Sequence, residues 1–392
     1  MRRMFLAACG VLVVGVLVGS AAAFRTARAG VPSAASVDAA FQAIWTKYES
    51  QLRGLCMGAV DEGMARTHCF GSKAPGSSTP PDVHTLFDIA SISKTFGATL
   101  LALRVKQGKV KLDDRVRKYV RTLPAKALYP KKLTLLDLAD HRSGLPHGTP
   151  NAGSADDFIL RTGRCLQNSN CRVGLPGLVY HYSNWAVSAL GTLLALNDGF
   201  PDGPVGPWSA DNAQAITDPL GMNETRSWQD WLRTDPGTFG AHRAQSGTEK
   251  FKNSPYESPG SGVWSSAHDM LIWLRYSMGL VDAGTLGDAV PLLYERAQVI
   301  RDTKNPPKQI GLVWTIIPGT GGTCISKAGD EHDFHAYLIF VDKRRRGVFL
   351  LVNKTPTTSY RRIATELLNS LPSASGAKAP WCPTDSRSGD DG

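Results

Sequence analysis

Three features of this 392-residue chain predict an α+β fold, an antiparallel sheet flanked by helices with a helical insertion. Strand-like segments fall near the two ends, at 54–60 and 64–70, then at 311–317, 335–342 and 347–353. Helical periodicities bracket them at 36–52 and 358–371. From about 112 to 260 the text becomes helical segments broken by loops rich in Gly, Pro and Asn. Strands at both ends with helices between read as one sheet domain interrupted by a helical one. The expected division is a leader at 1–29, a sheet domain from 30–115 and 260–371, an insertion at 116–259 and a flexible tail at 372–392.

The leader rests on Arg2 and Arg3 before an apolar run from Met4 to Val18, then small residues with Ala-x-Ala sites at 21–23 and 27–29. That is the pattern of a cleaved secretory signal, which places the mature protein in the periplasm or outside the cell. A retained anchor needs about 18 to 20 apolar residues and no processing site. Arg2-Arg3-Met4-Phe5-Leu6 also resembles a twin-arginine signal, whereas Leu6-Ala7-Ala8-Cys9, a lipoprotein-like box, precedes the apolar stretch it should end. Removing the leader takes Cys9 with it and leaves Cys56, Cys69, Cys165, Cys171, Cys324 and Cys382. An even number in an exported chain reads as disulfides, and proximity favours 56 with 69 and 165 with 171, so that 324 pins the tail through 382.

The helix at 36–52 carries Val37, Ala40, Phe41, Ile44, Trp45, Tyr48 and Leu52 at helical spacing, with Ser36 as candidate N-cap. Another helix is expected at 265–278, capped by Ser265 or Ser266. The formal charge of +10 falls to +6 without the leader, 40 basic against 34 acidic residues. Such an excess fits contact with an anionic cell envelope or plain solubility charge, and no nucleic-acid partner is expected. The run Lys343-Arg344-Arg345-Arg346 lies between two strands and reads as a charged hairpin tip.

Chemistry enters at "FDIASISKTFGATLLALRVKQG", where Ser91 and Lys94 open an apolar run. Residues three apart share a helix face, and an amine beside a hydroxyl can take its proton and make a nucleophile. A helix start adds backbone N–H groups near the reacting oxygen. The competing reading makes Ser91 an ordinary helix cap. Ser-x-x-Lys recurs at 375–378, in a tail with no apolar helix behind it.

The rest of the sequence bears on that choice. The stretch from Phe87 to Thr95 resembles the F-x-I-x-S-x-S-K-T motif of serine hydrolases related to class C β-lactamases and penicillin-binding DD-peptidases. "LTLLDLADHRSGLP", "PGLVYHYSNWAVSALG", "DPLGMNET" and "SPGSGVWSSAHDM" resemble further segments of that family, in family order. The resemblance implies the β-lactamase/DD-peptidase fold, a Ser91 acyl-enzyme, Lys94 as its activating partner and Tyr182 as general base and acid. It implies Asn184 as a partner of the substrate amide or of Lys94. Tyrosine, with an ordinary pKa of about 10, serves near neutral pH only if nearby positive charge favours its anion. For the family's Lys-Thr-Gly or His-x-Gly strand the best match is Lys327-Ala328-Gly329, with Lys327 supplying charge and Gly329 allowing close backbone approach. The N–H groups of Asp330 and Ser91 would form the oxyanion hole. Ala328 departs from the threonine of the pattern and removes a hydroxyl that would bind a substrate carboxylate.

The expectation is therefore a serine hydrolase of a small-molecule or peptide substrate: β-lactam, D-amino acid peptide or carboxylic ester. No cofactor and no metal are expected. The acidic and histidine-rich stretch Asp330–His335 reads poorly as a metal site, because on a strand His332 and His335 point to opposite faces. Gly319–Thr323 lacks the Gly-Lys-Ser/Thr ending of a phosphate loop. The alternative is a catalytically weak or inactive binding protein of the cell envelope.

Overall fold

The computed structural model describes residues 33–383 except 62, 249, 252–253, 296–297, 300–308, 343 and 373–379. The leader, Lys343 and the second Ser-x-x-Lys lie outside the described residues. Eleven strands form two antiparallel sheets among these residues. The large sheet holds β1 (Gly54–Asp61), β2 (Met64–Gly71), β6 (Gln298–Val299), β7 (Gln309–Ile310), β8 (Thr315–Gly319), β9 (Gly322–Glu331), β10 (Phe334–Val341) and β11 (Arg346–Val352). Its order is β2-β1-β11-β10-β9-β8-β7-β6, so the two ends of the chain meet where β1 pairs with β11. The small sheet is β3 (Leu86–Asp88), β5 (Val263–Ser266) and β4 (Arg226–Ser227), in that order.

Both faces of the large sheet are buried at β1, β10 and β11, and period-two alternation sorts their side chains between two cores. Leu55, Met57, Ala59, Tyr337, Ile339, Leu350 and Val352 pack under α1 (Ala34–Tyr48) and α5 (Tyr360–Ser370). Cys56, Val60, Ala336, Leu338, Phe340, Phe349 and Leu351 face the other way, into the larger core. That core also takes in α2 (Ser93–Lys106), α3 (Asn184–Asn197) and α4 (Ala267–Ser277). The apolar stripe of α1 is the one its sequence predicts as far as Tyr48, where the helix ends and leaves Leu52 beyond it; its cap is Ser33, whose hydroxyl accepts from Ser36 N, and Ala34 and Ala35 extend the helix by half a turn. Ser266 caps α4, its hydroxyl accepting from Asp269 N, while Ser265 belongs to β5.

Two expectations need correction. The strand placed at 311–317 begins only at Thr315, because Val313 has φ 62 and Gly311 N bonds Trp314 O, closing a tight turn. The basic run is not wholly a hairpin tip: Arg346 is buried in β11, its Nε and Nη2 donating to the two Asp61 carboxylate oxygens at 2.9 Å each. All three disulfides pair as proximity suggests, 56 with 69, 165 with 171 and 324 with 382. Among the described residues no helix is long and apolar enough to cross a membrane.

Candidate active site

The turn before α2 decides how Ser91 is presented. Residues Ala90–Ile92 form one 3-10 turn, and α2 starts only at Ser93. Ser91 therefore caps nothing. Ala90 sits at φ 45, held there by its N–H on the Asp88 carboxylate at 2.8 Å, while Ile89 N bonds Val263 O of β5. A non-glycine residue in this region is strained and persists when its surroundings fix it. The strain turns the Ser91 hydroxyl toward Lys94, whose Nζ lies 2.8 Å from it.

Lys94 is wholly buried, and its Nζ also donates to Asn184 Oδ1 at 2.5 Å and Gly260 O at 2.6 Å. Those two acceptors hold two of its hydrogens, and the third direction points at Ser91 Oγ. There an ammonium donates, whereas a neutral amine presents its lone pair to the serine proton. Gly260 has to be glycine here: a Cβ on it would stand 2.6 Å from Asn184 O and 2.7 Å from Ser188 Oγ.

Asn184 is the first residue of α3, behind the N-cap Ser183. The loop carrying Tyr182 is sewn to the segment 141–147 by four bonds. His181 N donates to His141 O, Ser183 N to His141 Nδ1, the Ser183 hydroxyl to Pro146 O and Asn184 N to His147 O. Between these anchors the Tyr182 ring lies with Lys94 Nζ 4.6 Å and Lys327 Nζ 5.0 Å from its centroid. His141 packs on it at 4.5 Å between ring centroids. Burial, reinforced by the charges of Lys327 and Lys94, holds the His141 pKa well below its ordinary 6.5. It is thus neutral, which suits a Nδ1 that accepts a backbone N–H. Burial also pushes the neighbouring Asp140 carboxyl up to about 7.

Strand β9 closes the site from the sheet side. Its residues 325, 327 and 329 face the larger core, and 324, 328 and 330 the layer under α5. Lys327 is buried and donates to Val313 O at 3.0 Å, so the strained Val313 turn that shortens β8 also anchors this lysine. Gly329 lies against the serine turn: a Cβ there would be 2.2 Å from Ile89 O and 3.2 Å from Ser91 N. Ala328 packs in the core under α5, on the face opposite Lys327. The Asp330 side chain also turns away from the serine, accepting from the Tyr360 hydroxyl at 2.5 Å and lying 2.6 Å from His335 Nδ1. Burial opposes its ionisation, but hydrogen bonds to His335 and Tyr360 and the Arg361 charge outweigh that and hold its pKa below the usual carboxylate value.

Register fixes where the Asp330 N–H points. A two-residue turn joins β9 to β10, and Glu331 faces Phe334 across it. In such a hairpin the pair flanking the turn exchanges hydrogen bonds and the next pair, Asp330 with His335, does not. The Asp330 N–H is therefore directed to the other side of β9. There β8 pairs only as far as Ser326, leaving that edge to the serine turn.

The Beta-lactamase family model matches residues 37–371. The chain belongs to the β-lactamase family. This β-lactamase-family chain is 26% identical over 351 residues to the D-alanyl-D-alanine-carboxypeptidase/endopeptidase AmpH of Escherichia coli K12, covering 84% of the chain and 87% of that protein. It is 22% identical to a β-lactamase of the same organism, over 82% and 90% of the two chains. In fold it is similar to a class C β-lactamase (TM-score 0.70, 20% identity, 86% and 96% covered). A D-alanine carboxypeptidase from Burkholderia cenocepacia is similar in fold too (TM-score 0.68, 23%, 86% and 98%). The β-lactamase-family fold and the class of serine hydrolase follow.

The structure brings Ser91, Lys94, Tyr182, Asn184, Lys327 and Gly329 together from three separate segments. His141, Gly260 and Val313 were not singled out in the sequence. His141 and Gly260 stand inside quoted motif segments, but Val313 acts through its carbonyl, which no residue type advertises.

Proposed function

We propose that this chain is an exported hydrolase that forms an acyl-enzyme on Ser91 and removes the terminal residue from peptides ending in D-alanyl-D-alanine. The observation that carries the reading is the buried Lys94 Nζ, held by Asn184 Oδ1 and Gly260 O with its third direction on Ser91 Oγ. Ser91 Oγ attacks the carbonyl carbon while its proton passes to Lys94 or Tyr182. The oxyanion that forms is held by the N–H groups of Ser91 and Asp330. As the tetrahedral carbon collapses, the C–N bond breaks and the Tyr182 hydroxyl gives its proton to the departing amine. Positive charge on Lys94 and Lys327 stabilises a phenolate at Tyr182, so the same residue then activates the water that releases the acid. On this reading the segments 30–115 and 260–371 supply the serine turn and strand, and 116–259 supplies Tyr182 and Asn184.

The substrate class is supported by the similarity to proteins named as D-alanine carboxypeptidases. β-Lactam hydrolysis is the second reading, supported by the similarity to β-lactamases. Export is supported by the leader pattern and by three disulfides, which persist in oxidising compartments. Release of D-alanine from such a peptide, lost in Ser91→Ala with the fold intact, is the expected outcome; unchanged release in that variant refutes the Ser91 assignment. Hydrolysis of a chromogenic cephalosporin without D-alanine release moves the substrate to the second reading. A mature protein whose mass begins at Met1 overturns the export claim.

A further inference from the structure

The small sheet ends in a cluster that the chemistry of Ser91 does not use. His84 precedes β3 by two residues, Glu224 precedes β4 by two, and His268 follows β5 by two. Leu86 pairs with Ser266 and Arg226 with Trp264, so continuing the register brings 84 beside 268 and 224 beside 266 at one end of the sheet. There His84 Nδ1 lies 2.8 Å from Glu224 Oε1, and His268 Nδ1 3.9 Å from Glu224 Oε2. One ligand atom from each of the three residues falls within 4.8 Å of the others. The imidazole rings are 5.4 Å apart.

We propose that His84, Glu224 and His268 bind one Zn²⁺ ion, with a fourth position left to water. Two imidazoles and one carboxylate are a donor set zinc accepts, whereas calcium and magnesium take oxygen ligands. At metal–ligand distances of about 2.1 Å, two tetrahedral ligands lie about 3.4 Å apart, so closure needs only small rotations. The rings have that freedom, with the side chains of His84 and His268 53% and 50% exposed. Their exposure also gives the ion its entry path.

The surroundings hold the donors in place as an outer shell does. Asp269, almost completely buried, accepts the Glu224 N–H and the Thr225 hydroxyl, each at 2.8 Å, through one oxygen. Its other oxygen is 2.9 Å from His268 Nδ1, a contact the ring keeps when its Nε2 takes the ion. The Ser266 hydroxyl donates to Glu224, and the Asp82 carboxylate accepts the backbone N–H of His84 at 3.0 Å. A plain ion pair would need one histidine; the second one and its aspartate partner are what point to a metal. The sequence conceals the site because His84 and Glu224 are 140 residues apart.

Bound zinc would join the three strands of the sheet whose other end holds the serine turn through Ile89 N on Val263 O. Its role is thus structural, and it stands whatever Ser91 does. The test is calorimetric titration of Zn²⁺ into the full, metal-stripped chain without a polyhistidine tag, beside His84→Gln and His268→Gln, with thermal melts of each. One ion per chain, a raised Tm with zinc, and at least a tenfold loss of affinity in each variant are expected. Replacement by Co²⁺ is expected to give the intense visible absorption of a four-coordinate site. No binding to wild type, or wild-type affinity in both variants, overturns the proposal.

Discussion

Gly329→Ala is the perturbation that most directly probes how β9 meets the serine. The new Cβ would stand 2.2 Å from Ile89 O, 3.1 Å from Ile89 C and 3.2 Å from Ser91 N, all backbone atoms that cannot swing aside. An unstrained carbon–oxygen contact requires strand and turn to separate by roughly 1 Å. That opens the gap between the Ser91 and Asp330 N–H groups. Loss of one oxyanion donor lowers kcat by about 10²–10³-fold, and a 1 Å misplacement alone costs about 10²-fold. We therefore expect acylation by a fluorescent penicillin or a fluorophosphonate to slow by ~10²-fold or more in Gly329→Ala. Circular dichroism and a thermal melt confirm that the variant folds. Gly240→Ala, where a Cβ meets nothing within 4 Å, is the control and keeps the wild-type rate. A folded Gly329→Ala that acylates within about threefold of wild type would refute the placement of β9 against the oxyanion.

Three further outcomes follow from the same geometry. Lys94→Met should slow acylation by about 10²–10⁴-fold, measured by single-turnover labelling, and an unchanged rate would remove Lys94 from proton transfer. Asp140 has a folded pKa raised to about 7, so the stability it contributes is full below about pH 4 and lost as pH rises to about 7. Unfolding free energies of the wild type from denaturant curves should accordingly fall across that window relative to Asp140→Asn, by at most about 4 kcal/mol; parallel pH profiles would contradict this. The Cys324–Cys382 bridge closes a separation of 58 residues, worth about 4 kcal/mol if it acts through unfolded-chain entropy. Cys382→Ser should lower Tm while kcat/KM stays within about twofold, because Cys324 lies near the far end of β9 from Gly329.

Local pattern carried much of the architecture. Alternating apolar residues in β10 and β11 and the spacing in α1 and α5 are set by which side is buried, and that is written residue by residue. Ser91, Lys94, Tyr182 and Asn184 were legible because their side chains occur in ordered motifs. What sequence hides is backbone. The positive φ of Ala90, His141 and Val313, all of them around the site, goes with tertiary bonds such as those from Lys327 Nζ to Val313 O and from Val313 N to Ala139 O. Asp330 shows the same limit, since its carboxylate belongs to α5 while its N–H is aimed at the serine by hairpin register. The start of β8 was misplaced for this reason too, as an apolar Gly311–Ile317 run gives no sign that Val313 must turn to accept from Lys327.

Intact-protein mass after exposure to a penicillin, and separately to a fluorophosphonate, tests the central claim most directly. The account predicts one covalent adduct per wild-type chain with each reagent and none with Ser91→Ala. A folded wild type that takes no adduct from either reagent, or an adduct that persists in Ser91→Ala, would contradict it.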